Sequence, residues 1–178
     1  HIQKGNILAN VTAIQYFLPL FFGVIADRIG YKRSLLIAFV ITAVGYYLMG
    51  TVSSYWAIYL AFLLAAIGGS FFKPVASGII ARNTDDTTNT MGFGIFYLMA
   101  NIGGFFGPAF SSYLRTVMGW RIIFLQAAIV IFINLLVVLF FFKEKKINRT
   151  YNVPIWDEIK GSFHNIIEAL KDKKLSIL

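Results

Sequence analysis

The chain has 178 residues, of which 58% are hydrophobic and 13% charged, and it contains no cysteine. Ordinary soluble domains carry about 25% charged residues, so a disordered chain, a disulfide framework and a thiolate metal site are excluded. The formal net charge of +8 lies between long apolar stretches and in the tail, which excludes a nucleic-acid-binding surface and leaves a membrane protein.

Four stretches carry no Asp, Glu, Lys or Arg: residues 5–26, 34–72, 87–114 and 122–142. A helical crossing of the hydrocarbon core needs roughly 20 residues. The second stretch, 39 residues long, is interrupted by Thr51-Val52-Ser53-Ser54 and is divided there. Five spans follow, over residues 5–26, 34–50, 55–81, 87–114 and 122–142. The short alternating segments of a transmembrane barrel are missing, so the fold class is all-α, a polytopic helical bundle whose backbone groups are satisfied within each span. Pro19, Pro74 and Pro108 fall inside spans, where breaks often line a cavity.

Lys and Arg concentrate near one set of span ends, at Arg28, Lys32, Arg33, Arg82, Lys143, Lys145, Lys146 and Arg149, against Lys4, Arg115 and Arg121 at the other. The richer face is expected to be cytoplasmic. The first span then enters from outside, and with His1 in place of a methionine a preceding helix is expected. Residues 143–178 form a basic cytoplasmic tail. Its apolar residues Ile155, Ile159, Phe163, Ile166 or Ile167, and Leu170 recur at helical spacing, which predicts an amphipathic helix. The protein is thus expected to be a multi-pass component of the plasma or inner membrane, with the lipid bilayer as its first partner.

Between the first two spans lies Gly23-Val24-Ile25-Ala26-Asp27-Arg28-Ile29-Gly30-Tyr31-Lys32-Arg33. Gly23 allows close helix approach, Gly30 a tight reversal, and Lys32 and Arg33 anchor at headgroups. Asp27 stands against the dipole of its own helix end, so it is expected to seek Arg28 or the N-terminus of another helix. The pattern Gly, Asp four residues on, a base, Gly, then two bases resembles the cytoplasmic signature of the major facilitator superfamily. The resemblance implies a twelve-helix transporter of two six-helix halves. These spans would be helices two to six of the N-terminal half, completed by helices outside this chain. It also implies that the positions Gly23, Asp27, Arg28, Gly30, Lys32 and Arg33 form a conformational latch between the halves.

Lys73 falls within the third span, about 12 Å from its cytoplasmic end at 1.5 Å per residue. An ionisable group at that depth is a functional candidate, and no acid lies within the five spans to pair with it. In the fourth span, Tyr97, Asn101 and Pro108 fall near one helix face, and Gly103 and Gly107 offer a small-residue contact. Phe72-Lys73-Pro74 followed by this aromatic, Asn-containing run resembles the proton-dependent oligopeptide transporter family. That implies proton coupling or carboxylate binding by Lys73, substrate hydrogen bonding by Asn101 beside Tyr97, and a proton gradient, with no bound cofactor, as the energy source. The run from Gly103 to Pro108 also resembles the fifth-helix signature of drug–proton antiporters, and another solute carrier of the superfamily stays open too.

An enzyme would need convergent acids, histidines or a metal set. The two histidines, His1 and His164, lie at the chain start and in the tail, which argues against both an enzyme and a metal site. A transport-inactive structural or receptor-like subunit would not need a deep lysine beside a kink. The substrate expected is therefore a small molecule or short peptide.

Overall fold

The computed structural model describes residues 2–144 and, beyond them, residues 156–157 and 159–161. Six helices follow in chain order: α1 (Ile2–Phe17), α2 (Pro19–Ile29), α3 (Tyr31–Thr51), α4 (Tyr55–Asn83), α5 (Asn89–Met118) and α6 (Trp120–Phe141). Helices α3 to α6 are each long and apolar enough to cross a membrane. Ala9–Phe17 with Pro19–Ile29, bent by 44°, make a fifth span if taken together. Among the described residues there is no strand. Residues 145–178 form a second compact unit; of the expected tail helix only Ile159 among its apolar positions is described, and it is helical, while Ile155, Phe163, Ile166, Ile167 and Leu170 lie outside the described residues.

The expected first span is not one straight helix. Pro19 has no N–H to give the Gln15 carbonyl, and its ring crowds that carbonyl, so the helix bends where α2 restarts with Pro19 in its first turn. Pro74 sits inside α4 and Pro108 inside α5 without ending either helix. The other helices run slightly past the charge-free stretches: α3 begins at Tyr31, taking in Lys32 and Arg33, and α4 reaches Asn83, taking in Arg82. Basic side chains at a helix end reach the interface while the backbone stays helical.

The centre of the packing is the pair α3–α4, which meets through small residues. A Cβ added to Gly45 would lie 2.7 Å from the Ala65 amide nitrogen, and one added to Gly68 would lie 2.8 Å from the Ala38 carbonyl oxygen. Ala38, Ala61 and Ala65 are buried in the same seam, the last two clustered with Met49 of α3. Such surfaces let helix backbones approach closely, which drives association where lipid offers no hydrophobic contrast. The buried hydroxyls of Thr42 and Ser70 donate back to the carbonyls of Ala38 and Ala66 at 2.7 and 2.6 Å. Helix α6 covers the other side of α3, with Phe124 against the Met49–Ala61–Ala65 cluster and Val138 against Ala26, Tyr31, Leu35 and Val75. Helix α5 contributes no buried residue.

Candidate functional site

The loop between α2 and α3 is a single residue, Gly30, with φ +97°. That is a left-handed conformation glycine adopts at no steric cost. Lacking a side chain, Gly30 cannot cap the α3 N-terminus that it precedes. Glu144, just beyond α6, does so instead: its Oε1 accepts from the Tyr31 amide at 2.6 Å and its Oε2 from the Lys32 amide at 3.0 Å. A carboxylate there satisfies amides that have no intrahelical partner and complements the helix dipole. A Cβ on Gly30 would lie 3.0 Å from Glu144 Oε2, so the same glycine makes both the turn and the seat. Lys32 returns the contact, with Nζ donating to the Leu139 carbonyl at 2.9 Å in the last turn of α6. Each helix end is thereby capped from the other helix.

Asp27, on the last turns of α2, is held from two further helices. Arg82 Nη2 of α4 donates to Asp27 Oδ1 at 2.6 Å, and the Tyr31 hydroxyl of α3 donates to the same oxygen at 2.7 Å. The Arg82 guanidinium also lies over the Tyr31 ring, 4.1 Å from its centroid. Asp27, expected to seek Arg28 or the N-terminus of another helix, is thus paired with Arg82, and the carboxylate at the α3 N-terminus is Glu144. Arg28 stands in the last turn of α2 and Arg33, exposed, in the first turn of α3. A Cβ on Gly23 would be 3.8 Å from the Pro74 Cβ, an ordinary contact, so α2 and α4 do not require a glycine there for closeness.

The second constellation surrounds Lys73. A cavity of about 240 Å³ is lined by Gln15, Tyr16 and Pro19 from the bend in the first span and by Gly69, Ser70, Phe72 and Lys73 from α4. Two prolines shape its chemistry. Pro19 leaves the Gln15 carbonyl without its usual helical donor, and Pro74 does the same to the Ser70 carbonyl. The lining residues bring the Gln15 amide and the Tyr16 and Ser70 hydroxyls, each able to accept as well as donate, into one cavity with the Lys73 ammonium. Among the described residues Lys73 is exposed and has no ion-pair partner. Ten residues separate it from Asn83 at the end of α4, about 15 Å of helix.

Tyr97 and Asn101 do not line this cavity. Both are exposed on α5, which approaches the α4 aromatic region through Phe96, 6.4 Å between ring centroids from Phe72. Gly103 and Gly107 face open space, since a Cβ on either would meet no atom within 4 Å, and Pro108 is likewise exposed. Sequence reading passed over Gln15, Tyr16, Gly69 and Glu144. The proline inside the first span was the one local signal for the first two; Glu144 had none, being 112 residues from Lys32. Among the described residues no group of His, Asp or Glu is placed to hold a metal ion.

The profile described as Major Facilitator Superfamily matches residues 2–176. Among curated relatives, multidrug resistance protein MdtG of Dickeya zeae (strain Ech586) is 34% identical over 126 residues, covering 70% of this chain and 30% of that protein. The class B tetracycline resistance protein of Escherichia coli is 28% identical over 145 residues, covering 82% and 36%. Among solved structures, a crystal structure of the peptide transporter POT in complex with sulfate matches with a TM-score of 0.66 and 20% identity, over 97% of this chain and 38% of that one. The chain thus spans roughly a third of the length of these proteins, and the last likeness is one of fold.

Proposed function

The chain belongs to the Major Facilitator Superfamily, and we propose that the protein is a secondary transporter that moves a small carboxylate-bearing solute, a di- or tripeptide in the first instance, by proton-coupled alternating access. The observation that carries this reading is the Lys73 cavity. An ammonium inside an apolar span is costly unless it meets an anion or acceptors, and this one lines a space shared with the polar side chains of Gln15, Tyr16 and Ser70, beside the bend at Pro19 and next to Pro74, through which α4 continues. A substrate with an anionic end satisfies the lysine, and its amide or ammonium groups satisfy those side chains. Between transport steps a carboxylate from helices outside this chain would take the anion's place, coupling its protonation to substrate binding. The likeness in fold to the peptide transporter supports the same reading.

The loop end would act as the latch. Asp27, Arg82, Tyr31, Lys32 and Glu144 join α2, α3, α4 and the end of α6 into one plate, against which the other half would close on the cytoplasmic side. A second reading, export of drugs in exchange for protons, is favoured by a separate observation, the 34% identity to a multidrug resistance protein.

The deciding experiment is uptake of labelled di- and tripeptides by the full-length protein in proteoliposomes under an inward proton gradient, with Lys73→Gln alongside. Gradient-driven uptake that the variant loses is the expected result. A folded wild type that takes up no peptide, but exchanges protons when a cationic dye is added, would move the reading to drug export.

A further inference from the structure

Two consecutive glycines in α4 stand in opposite surroundings. Gly68 is buried, and a Cβ there would lie 2.8 Å from both the Ala38 carbonyl oxygen and the Thr42 amide nitrogen. The crossing of α3 and α4 explains it. Gly69 is exposed, and a Cβ there would meet no atom within 4 Å. Glycine is among the poorest residues in a helix interior, because it has the most backbone freedom to lose. Packing among the described residues gives no reason for a glycine at 69. The helix backbone there is regular, so conformation gives none either.

The position does line one feature, the cavity beside Lys73. Lys73 is four residues on, one turn along the same face of α4. A side chain at 69 would project into the space through which a ligand reaches the ammonium, between the helix and the Gln15–Tyr16 wall. We infer that Gly69 is a specificity-determining position, keeping the space beside Lys73 free for the anionic end of a substrate and setting the size of the group that fits. The inference rests on the proposal that Lys73 meets substrate, and it adds the residue that limits which substrate. The class admitted is a compact anionic group, a carboxylate with little bulk beside it, flanked by the apolar walls of Phe72 and Pro19.

The test uses the full-length protein and needs no knowledge of the natural substrate. Gly69→Ala adds a methyl where there is room, so its melting temperature in detergent should equal or exceed wild type, whereas Gly68→Ala should lower it. A cysteine introduced as Gly69→Cys should react in membranes with small methanethiosulfonates. After correction for their reactivity towards a free thiol, the anionic ethylsulfonate reagent should outpace the cationic trimethylammonium reagent roughly tenfold, the scale of one unit charge about 6 Å away in a water-like dielectric. Adding Lys73→Gln should bring that ratio to about one. A Gly69→Ala protein that melts as early as Gly68→Ala, or a cysteine at 69 that neither reagent modifies, would place another helix against Gly69 and overturn the inference. If the cysteine variant fails to fold, the melting comparison decides by itself. Failure to transport peptides, with the labelling pattern intact, removes the peptide assignment and leaves the anion site standing.

Discussion

The loop end of the bundle and the middle of α4 treat charge in opposite ways. At the loop end Asp27 is held by Arg82 and Tyr31, Glu144 by two amides, and Lys32 by a carbonyl, with partners drawn from four helices. Nine residues back along α4 from Arg82, or about 14 Å, Lys73 faces a cavity with no ion-pair partner among the described residues. The same helix carries both. Where charges are reciprocally satisfied they define one rigid arrangement, and where a charge is left to an incoming group it defines a binding event. Under the proposed function the contrast would put holding at one end and exchange in the middle, and it can be broken by variants that tax one without the other.

The largest effect belongs to Lys73. Replacing it with Gln removes a charge-assisted contact worth about 1.5–3 kcal/mol, so transport should fall roughly 10- to 100-fold and driven accumulation should vanish. Because no described residue forms an ion pair with that ammonium, the melting temperature should stay within a degree or so of wild type. Parallel flux and melting measurements check this, and a protein that unfolds on losing Lys73 would merge the two regions that the structure separates.

Gly68→Ala acts in the reverse sense. The added methyl meets the Ala38 carbonyl, and overpacking of this kind costs about 1–3 kcal/mol. Stability should fall while peptide binding by the surviving folded protein is retained. Glu144→Gln is smaller again. The neutral amide still offers one acceptor to the Tyr31 and Lys32 amides but loses charge and the second oxygen, at about 1 kcal/mol. Its signature is faster hydrogen exchange confined to the first turn of α3, since the rest of that helix is packed against α4 and α6. Exchange unchanged at Tyr31 and Lys32 would mean that the reciprocal capping holds nothing in solution.

These regions were unequally legible in the sequence. The spans could be read because a charge-free run in a chain this apolar has one physical outcome, and the loop motif because its residues are contiguous. The bend at Leu18 was partly legible through Pro19, though the angle depends on how α1 and α2 lie on α4. The cap from Glu144 was invisible, because a carboxylate 112 residues downstream of Lys32 has no local pattern that says where it lands. The cavity was half visible: Lys73 stands out as a charge in an apolar run, but Gln15, Tyr16 and Gly69 acquire meaning only when two helices face each other. Tyr97 and Asn101 came from a family pattern rather than from spacing. They lie on α5, the helix with no buried residue, and line no part of the cavity.

The finest test of the comparison is Asp27→Asn, because here stability and motion should part company. The Asp27 side chain is 41% exposed and its Arg82 partner 21%, so solvent screens the pair and its contribution to stability is under about 1 kcal/mol. An amide oxygen can still accept from the Tyr31 hydroxyl, which reduces the loss further. If the loop end merely held the helices together, such a variant would be almost silent. If it is the surface on which the two halves close, losing the carboxylate changes the relative energy of the closed and open states. Turnover should then slow severalfold while substrate affinity in equilibrium binding stays near wild type. Raising the salt concentration in wild type should move turnover the same way, by screening the exposed part of the same pair. Turnover and binding that shift together would instead tie Asp27 to the Lys73 cavity through α4, and the division between a holding end and an exchanging middle would have to be given up.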